Sequence, residues 1–296
     1  MAGPTDSVLD WGARHRRDLP WRHTRDPWAV LVSEVMLQQT QVARVVPRFH
    51  RFLGRFPTPA ACAAAPVADV IAEWAGLGYN RRAVDLHRAA TAVVERHDGR
   101  LPDELDALRA LPGLGPYTAR AVLAFAFEAD VGVVEVNSAR VLARAFAGRR
   151  VTPGEAQRLA DDVVPVGEGW AWNQSLLDLG AVVCGKRAQA CGECPLRPWC
   201  VWEGGGRTAV DPAEGSAGTG SRQSRFEGSD RQGRGRLVDA LRRAPVPAAD
   251  LPAVTGWPHD PDRARRVAAT VVTDGLAVPF GDDDGGLSLP GWPPPP

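Results

Sequence analysis

The chain has 296 residues, 44% of them hydrophobic, which is enough for a packed core and about two domains. The 35 Lys and Arg residues balance the 35 Asp and Glu residues, so a uniformly basic nucleic-acid binder is not indicated, although a local basic patch is compatible with this balance. No run of 18 apolar residues is present, which excludes an ordinary transmembrane helix, and residues 1–11 lack a secretory pattern. We therefore expect a cytoplasmic protein with no membrane partner.

Residues 1–203 are predicted to be mostly helical. Apolar residues recur there at helical spacing, Pro and Gly residues separate the apolar stretches, and strands do not alternate with helices. The stretches are Trp28–Phe52, Val67–Trp74, Ala83–Val94, Ala119–Phe127, Ala139–Phe146 and Leu176–Val183. This pattern predicts a mainly α fold.

The last third of the chain has a different composition. Residues 204–225 are rich in Gly, Ser and Thr without an apolar stripe, which predicts a flexible linker. Two helical stretches and a short hairpin follow, and together they predict a small winged-helix-like domain over residues 226–296. The helices are expected at Asp230–Arg243 and Asp262–Asp274, and the hairpin strands at Leu276–Phe280 and Leu287–Leu289.

Four of the five cysteines form one cluster in the sequence. Cys184, Cys191, Cys194 and Cys200 are separated by six, two and five residues, so four thiolates can close around one metal centre. Zinc is a common partner of four thiolates, but this uneven spacing is not the paired-knuckle zinc pattern and favours a [4Fe–4S] cluster. Such a cluster fits a reducing compartment.

A Gly-rich turn precedes one of the predicted helices. Leu111-Pro-Gly-Leu-Gly-Pro-Tyr-Thr118 leads into an Ala-rich helix, and such a turn exposes backbone N–H groups at the positive end of the helix. The motif suits a phosphate group, although many helix–turn–helix joints also use Gly.

Two glutamates are candidate catalytic groups. Glu34 lies among Val30, Leu31 and Val35 on a predicted helix, where lost hydration is expected to raise its pKa and make it a general acid. A place on the polar edge of the helix is the alternative.

The second glutamate follows an apolar run just before another helix. Glu135 either favours the helix N-terminus or shares catalysis with a second carboxylate, and Asn137 is a candidate helix cap.

Taken together in this order, the motifs resemble the helix–hairpin–helix DNA glycosylases with an iron–sulfur cluster, and most closely the adenine DNA glycosylases. The resemblance extends from about Leu9 to Trp202. It depends on Leu19-Pro-Trp-Arg22, Ser33-Glu-Val-Met-Leu-Gln-Gln-Thr-Gln41, Gly76-Leu-Gly-Tyr79, Leu111–Thr118, Asn173-Gln174, Leu179-Gly180 and the four cysteines.

The resemblance implies an architecture with four parts. Residues 1–22 and 134–203 are expected to form an iron–sulfur domain, and residues 23–133 a six-helix barrel with the helix–hairpin–helix. The linker over residues 204–225 and the winged-helix-like domain then complete the chain.

The resemblance also implies roles for single residues. Glu34 matches the acid that protonates adenine, Tyr117 and Asn137 match groups that support the catalytic centre, and Glu135 stands where the family has Asp. Gln39 and Tyr79 match residues that enter the base stack, Arg22 and Gln174 match positions near the adenine pocket, and Gly113 and Gly115 belong to the phosphate-binding hairpin.

The implied activity is hydrolytic removal of adenine mispaired with 8-oxoguanine or guanine, by a monomer acting on duplex DNA. A related branch of the family carries Lys where this chain has Tyr117, and Lys186 is the chain's single lysine, so strand cleavage is not expected. Two alternatives remain because Glu135 replaces the family Asp and no Nudix box follows the linker. They are a uracil or thymine mismatch glycosylase of the same fold, and a DNA-binding iron–sulfur protein with impaired catalysis.

Overall fold

The computed structural model describes residues 3–207, 210–216, 225–281 and 285–292. The described chain is mainly helical and divides into two compact units. Unit 1 comprises Met1–Val30, Asp103–Arg109 and Gly115–Arg222, and unit 2 comprises Leu31–Pro102, Ala110–Leu114 and Gln223–Pro296. The domain boundaries expected from the sequence stay a prediction.

Unit 1 is a helical unit in which several helices begin at Pro, whose fixed φ suits the first helical turn. Its helices are α1 (Pro4–His15), the start of α2 (Pro27–Leu37), α7 (Leu105–Arg109), α8 (Pro116–Ala126), α9 (Val136–Val141), α10 (Pro153–Asp162), α11 (Gly169–Asp178) and α12 (Val201–Gly204). Helices α9 and α11 continue as π-helical segments, Leu142–Ala147 and Leu179–Val183.

The core of unit 1 lies between α1, α9 and α11. Its largest members include Trp11, Leu142 and Trp172, all with exposures of 7% or less. Cys184, Cys194 and Cys200 pack against this same core. The cysteine-bearing segment is therefore supported by the packing of α9 and α11.

The middle of the predicted linker is anchored in unit 1. Ser216 Oγ accepts a hydrogen bond from the backbone N–H of Val151 at 3.1 Å, and Asp211 pairs with Arg144. Residues 208, 209 and 217–224 lie outside the described residues. The segment 210–216 thus has a defined place on unit 1.

Unit 2 begins with the rest of α2 and four further helices of the predicted barrel. These helices are α3 (Val42–Arg55), α4 (Pro59–Ala64), α5 (Val67–Glu73) and α6 (Arg81–Arg96). Phe52, Ile71 and Trp74 are fully buried between them, and the ring of Phe52 meets that of Trp74 edge to face. Aromatic burial of this kind supplies much of the stability of a small helical core.

The C-terminal part of unit 2 has the order of elements of a winged helix. Its helices are α13 (Asp230–Leu241), α14 (Leu251–Thr255) and α15 (Pro261–Thr273), and its strands are β1 (Val246–Pro247), β2 (Val278–Phe280) and β3 (Gly286–Ser288). The strands form an antiparallel sheet in the order β1-β3-β2, with Leu287 opposite Val246. The winged-helix-like extension is therefore confirmed.

A search of the described helices for one long and apolar enough to cross a bilayer finds none.

Candidate active site and cysteine site

The sequence places Glu34 on α2, and the structure buries it there. Its exposure is 4%, and neighbouring Leu31 and Val35 are also buried. The alternative of a glutamate on the polar edge of the helix is therefore wrong. The expected rise in its pKa stays a prediction.

Glu135 is the N-cap residue of α9. Its Oε1 atom accepts hydrogen bonds from the backbone N–H groups of Asn137 at 2.7 Å and Ser138 at 3.2 Å, while Ser138 Oγ accepts one from the Glu135 N–H. The expectation that Asn137 caps this helix is wrong, because the Glu135 side chain is long enough to fold back over the first turn and take that role.

Burial and hydrogen bonding act in opposite directions on the pKa of Glu135. Burial raises the pKa of Glu135, while the hydrogen bonds from Asn137 and Ser138 act in the opposite direction. Among the described residues, its second oxygen, Oε2, accepts a single longer bond, from Asn137 Nδ2 at 3.3 Å. One carboxylate oxygen is thus committed to the cap, and the other is held less tightly.

The chain leading to Glu135 is fixed by a side chain that sequence reasoning gave no role. Asn173 accepts a hydrogen bond from the Val133 N–H at 2.9 Å and donates to the Val131 and Gly169 carbonyls. Ser138 Oγ also donates to the Val133 carbonyl. The only signal for Asn173 in the sequence was its position in the Asn173-Gln174 pair, which belongs to the stretches that resemble the glycosylase family.

A hydrogen-bonded chain connects Glu135 with the cysteine segment. Asn137 Oδ1 accepts from Arg140 Nη2 at 2.8 Å, and Arg140 donates to the carbonyls of Gly180 at 2.5 Å and Cys184 at 2.7 Å. A Cβ on Gly180 would collide with the Asn137 carbonyl oxygen. Glycine at position 180 therefore permits the close approach of the two segments.

The Gly-rich turn joins α7 to α8, as the sequence predicts. Gly113 has a φ of 75°, and a Cβ there would lie 2.6 Å from the Asp85 Cβ, so only glycine fits without strain. Gly115 is the N-cap residue of α8 and is exposed, and Tyr117 lies half-buried in the first turn. The exposed start of α8 is the kind of position that binds an anion.

Gln39 and Tyr79 are brought to one groove in unit 2. Both have left-handed backbones, with φ values of 53° and 45°, which is uncommon for residues other than glycine. Tyr79 is 42% exposed. These strained positions fit the expected contact with DNA, because such strain tends to persist at functional sites.

One buried arginine holds both of these loops, and sequence reasoning missed it. Arg82 donates to the carbonyls of Val35 and Gln38, each at 2.6 Å, and of Gly78 at 3.0 Å. Burial lowers the pKa of Arg82 to about 10. Its only signal in the sequence was its place three residues after Tyr79.

Arg22 and Gln174 are both buried in unit 1. Arg22 forms a bidentate pair with Asp178, with distances of 2.6 and 2.9 Å, and also donates to the Arg17 carbonyl. Asp178 and Gln174 share α11. The Arg22 guanidinium is thus largely committed to fixing the helix that carries Gln174, and sequence reasoning missed Asp178.

All four clustered cysteines line a single cavity of unit 1. Among the described residues, no three Cys, His, Asp or Glu side chains are arranged to hold one metal ion. Burial raises the pKa of Cys194 to about 11, so the thiol form is favoured until a cation replaces the proton.

Two further side chains line the same cavity. Arg144 donates from Nη1 to Cys184 Sγ at 3.3 Å, and its other nitrogens pair with Asp211 at 2.5 and 2.9 Å. The Trp202 Nε1 is buried and has no hydrogen-bond partner among the described residues. The cavity therefore presents two N–H donors as well as four thiols.

Comparison with known proteins assigns the family. Residues 32–165 match the model of the HhH-GPD superfamily base excision DNA repair protein. The chain is 41% identical to an adenine DNA glycosylase of Mycobacterium tuberculosis, over 96% of this chain and 93% of that protein. It is 40% identical to one of Mycolicibacterium smegmatis, covering 93% and 92%, and 38% identical to the human one, covering 66% and 38%.

Solved structures agree with this assignment. A thermostable thymine-DNA glycosylase superposes with a TM-score of 0.62 at 29% identity, covering 68% of this chain and 95% of that one. An endonuclease III trapped on DNA superposes at 0.59 and 23% identity, covering 71% and 100%, and supports the fold alone.

The chain belongs to the HhH-GPD superfamily of base excision DNA repair proteins. Within it, the chain is a DNA glycosylase and binds DNA. The two mycobacterial relatives, which match over more than 90% of both chains, are named adenine DNA glycosylase. The helix–hairpin–helix fold and the enzyme class expected from the sequence are thereby confirmed.

Proposed function

We propose that this enzyme removes adenine mispaired with 8-oxoguanine or guanine by hydrolysing the N-glycosidic bond. The observation that carries the proposal is its 41% identity, over 96% of its length, to a protein named adenine DNA glycosylase. The burial of Glu34 and the position of Glu135 as the N-cap residue of α9 support it, because carboxylates in different surroundings can take separate acid and electrostatic roles.

In the proposed reaction, adenine first leaves the duplex stack, which costs a few kcal/mol. Glu34 donates a proton to adenine N7 as the bond between N9 and C1′ breaks, so the electron pair leaves with a neutral base. Water then adds to C1′ of the sugar cation, and its proton returns to a carboxylate. Burial of Glu34 supports this role, because a desolvated carboxyl retains its proton more readily.

Glu135 is proposed to stabilise the positive charge that develops on the sugar. Oε1 is held in the α9 cap, which leaves Oε2 as the oxygen for the sugar. The Glu side chain is one methylene longer than Asp, so it can cap α9 with Oε1 and still present Oε2 to the sugar. We therefore expect this pocket to have adapted to Glu rather than Asp. Tyr117 and Asn137 are proposed as supporting groups, and the Asn137 Nδ2 contact with Oε2 supports the role of Asn137.

The enzyme is proposed to be monofunctional. Cleavage of the strand by a Schiff base needs an amine, the position of the family lysine is Tyr117, and Lys186 is the single lysine of the chain. Little covalent DNA adduct is therefore expected after borohydride treatment. An efficient adduct at Lys186 would contradict this assignment.

The DNA contacts are proposed to come from several elements. The exposed Gly113 and Gly115 backbone at the start of α8 suits a phosphate, and the strained Gln39 and Tyr79 suit entry into the base stack. Gln174 is proposed to lie near the adenine. Arg22 is proposed to act through Asp178, by holding the helix that carries Gln174.

The four cysteines are proposed to hold a [4Fe–4S] cluster. The residues fit this group, since the four sulfurs line one cavity. The Trp202 N–H, which has no hydrogen-bond partner in the described part of the chain, and the Arg144 guanidinium add donors suited to cluster sulfur. When bound, the cluster supplies a structural crosslink of the loop from Cys184 to Cys200.

This cofactor assignment is tested by metal and sulfide analysis. Protein purified without oxygen is expected to contain about four irons per chain with matching sulfide. Stoichiometric zinc without sulfide would contradict it. The protein is further proposed to act as a monomer, in the cytoplasm and on nucleoid DNA.

The base preference is tested with four duplexes: adenine opposite 8-oxoguanine, adenine opposite guanine, uracil opposite guanine and thymine opposite guanine. Single-turnover excision is expected for the two adenine duplexes. Excision of uracil or thymine instead would support a mismatch glycosylase, and no excision with retained binding would support an impaired enzyme.

Two substitutions test the carboxylates in the same assay. Glu34→Gln is expected to abolish excision and keep duplex binding, because an amide cannot donate a comparable proton. Glu135→Gln keeps an oxygen for the α9 cap but removes the charge, so a loss of about 100-fold or more is expected with little loss of stability. Parental rates in either variant would remove that residue from the mechanism.

A further inference from the structure

Unit 2 contains a groove with a volume of about 880 Å³. One wall carries Gln39, from the loop after α2, and Tyr79, from the loop before α6. The other wall belongs to the winged-helix portion and carries Phe226, Arg231 and Arg234. Its size is in the range of sites that enclose a nucleotide-sized ligand.

The two walls are fixed to each other by polar contacts. Arg242 on α13 donates to the Ile71 carbonyl at 3.0 Å and to Asn80 Oδ1 at 2.8 Å. Arg81 Nη1 lies 3.2 Å from Asp274 Oδ1. The winged-helix portion is thus held beside the loop that carries Tyr79, and the groove has a defined shape.

The groove has an excess of positive charge. Six Arg and three Asp residues line it, and the three Asp residues, Asp85, Asp239 and Asp274, all form ion pairs with arginines. Arg44 is exposed at the groove and forms no ion pair with the described residues. A cleft with such an excess attracts an anionic ligand such as a phosphodiester chain.

An exposed aromatic ring stands in this basic setting. Phe226 is 58% exposed, and the Arg231 guanidinium lies 5.9 Å from the centre of its ring. An exposed aromatic ring beside arginines is the arrangement with which proteins stack an unpaired base and contact its phosphates. Phe226 and Arg231 together therefore suit a nucleotide whose base has lost its partner.

We propose that this groove binds the strand opposite the excised base, with the unpaired base stacked on Phe226 and the strand's phosphates beside Arg44 and Arg231. The inference rests on the proposed function, because a base becomes unpaired when its partner is flipped out. Gln39 and Tyr79, proposed to enter the base stack, line the same groove. The winged-helix portion thus supplies one wall of the DNA-binding surface.

The test uses the full chain and duplexes that need no excision. A tetrahydrofuran abasic analogue replaces the target nucleotide, and the position opposite is 8-oxoguanine, guanine or a second abasic analogue. Phe226→Ala is expected to weaken binding about 10-fold on the two duplexes with an opposite base, and to leave the third unchanged, because only stacking is lost. Arg44→Ala is expected to weaken all three about equally and to lower the salt dependence by about one phosphate contact.

Arg266→Ala is the matched control. Arg266 is exposed on α15 of the same winged-helix portion, outside the groove, and forms no ion pair with the described residues. Its loss is expected to change affinity by less than about 2-fold. Equal thermal midpoints of the three variants would show that each of them folds.

Three outcomes would overturn the inference. They are parental binding by Phe226→Ala, an equal loss by Phe226→Ala on all three duplexes, and a loss confined to Arg266→Ala, which would place the DNA on the α15 face instead. The proposed function is tested in a different assay, since these binding duplexes contain no adenine target. If the parent enzyme does not excise adenine, the proposed function fails, whatever the binding results are.

Discussion

The two units are organised around buried arginines in different ways. In unit 1, Arg22 and Arg144 each face a carboxylate, Asp178 and Asp211 respectively. In unit 2, the guanidinium of Arg82 bonds carbonyls and the Thr40 hydroxyl, and no described carboxylate pairs with it.

The two kinds of partner shift the pKa values of the buried Arg144 and Arg82 in opposite directions. Burial opposes the charge of Arg144, but its hydrogen bonds to Asp211 and Cys184 outweigh burial and hold the pKa of Arg144 above the ordinary value. Burial of Arg82 has no such compensation, and its pKa falls to about 10. The cysteine site therefore depends on an arginine whose partners, Asp211 and Cys184, have side chains that titrate. The loops of Gln39 and Tyr79 depend instead on Arg82, which donates mainly to backbone carbonyls.

The largest expected effect comes from removing a carboxylate in unit 1. Asp211→Ala leaves the Arg144 guanidinium, which is 1% exposed, without its counter-ion, and such a loss typically costs about 3–5 kcal/mol of unfolding free energy. Urea unfolding measures this loss, and iron content after purification reports the effect on the cysteine site.

Asp262→Ala is the control for that substitution. Asp262 pairs with Arg265, and both side chains are largely exposed, 76% and 69% respectively, so a loss below about 1 kcal/mol is expected. An Asp211 variant as stable as the Asp262 variant would show that the pair with Arg144 does not organise unit 1.

A smaller effect is expected from Arg82→Lys. An ammonium keeps the charge but cannot reach carbonyls on both loops, and unsatisfied carbonyls beside the groove regain some water, so a loss of about 2 kcal/mol is expected. Affinity for the abasic duplex should fall as well, since the loops of Gln39 and Tyr79 lose their common support.

Arg88→Lys is the matched control on the same helix. Arg88 is 53% exposed, pairs with Asp85 and does not line the groove, so its replacement should change stability and affinity for the abasic duplex little. Equal losses in the Arg82 and Arg88 variants would contradict the role given to Arg82.

The smallest expected effect is a difference in acid sensitivity. Burial opposes the charge of Asp178, but hydrogen bonds and charges from Arg22 and Arg17 outweigh it and hold the pKa of Asp178 below its ordinary value. Stability from a carboxyl with a lowered pKa is present at neutral pH and is lost as the pH falls through the folded-state pKa. The urea midpoint of the parent should therefore approach that of Asp178→Asn on acidification.

The gap between the parent and Arg82→Lys should stay constant over the same acid range. No carboxylate pairs with Arg82 among the described residues, so acid protonates none of its partners. If the difference in urea midpoint from the parent narrows on acidification for both Asp178→Asn and Arg82→Lys, the two buried arginines do not differ in their dependence on a carboxylate.

Several features could be predicted from local sequence. The Gly-rich turn before α8 is a local signal because Gly113 needs a left-handed backbone, and the winged-helix elements followed from the spacing of apolar residues. The grouping of the four cysteines around one cavity also agrees with their short separation along the chain. The buried position of Glu34 followed from its apolar neighbours on α2.

The sequence by itself therefore determined the helical class and the family, and it is the basis for proposing which residues carry the chemistry. The tertiary structure alone decided that Glu135 caps α9, that Asp211 of the predicted linker pairs with Arg144, and that Arg82 joins two loops. For the two arginine contacts, the physical reason is distance along the chain. Arg144 and Asp211 are 67 residues apart and Arg82 and Gln38 are 44 apart, so no local periodicity or propensity records the contact, and only packing brings donor and acceptor together.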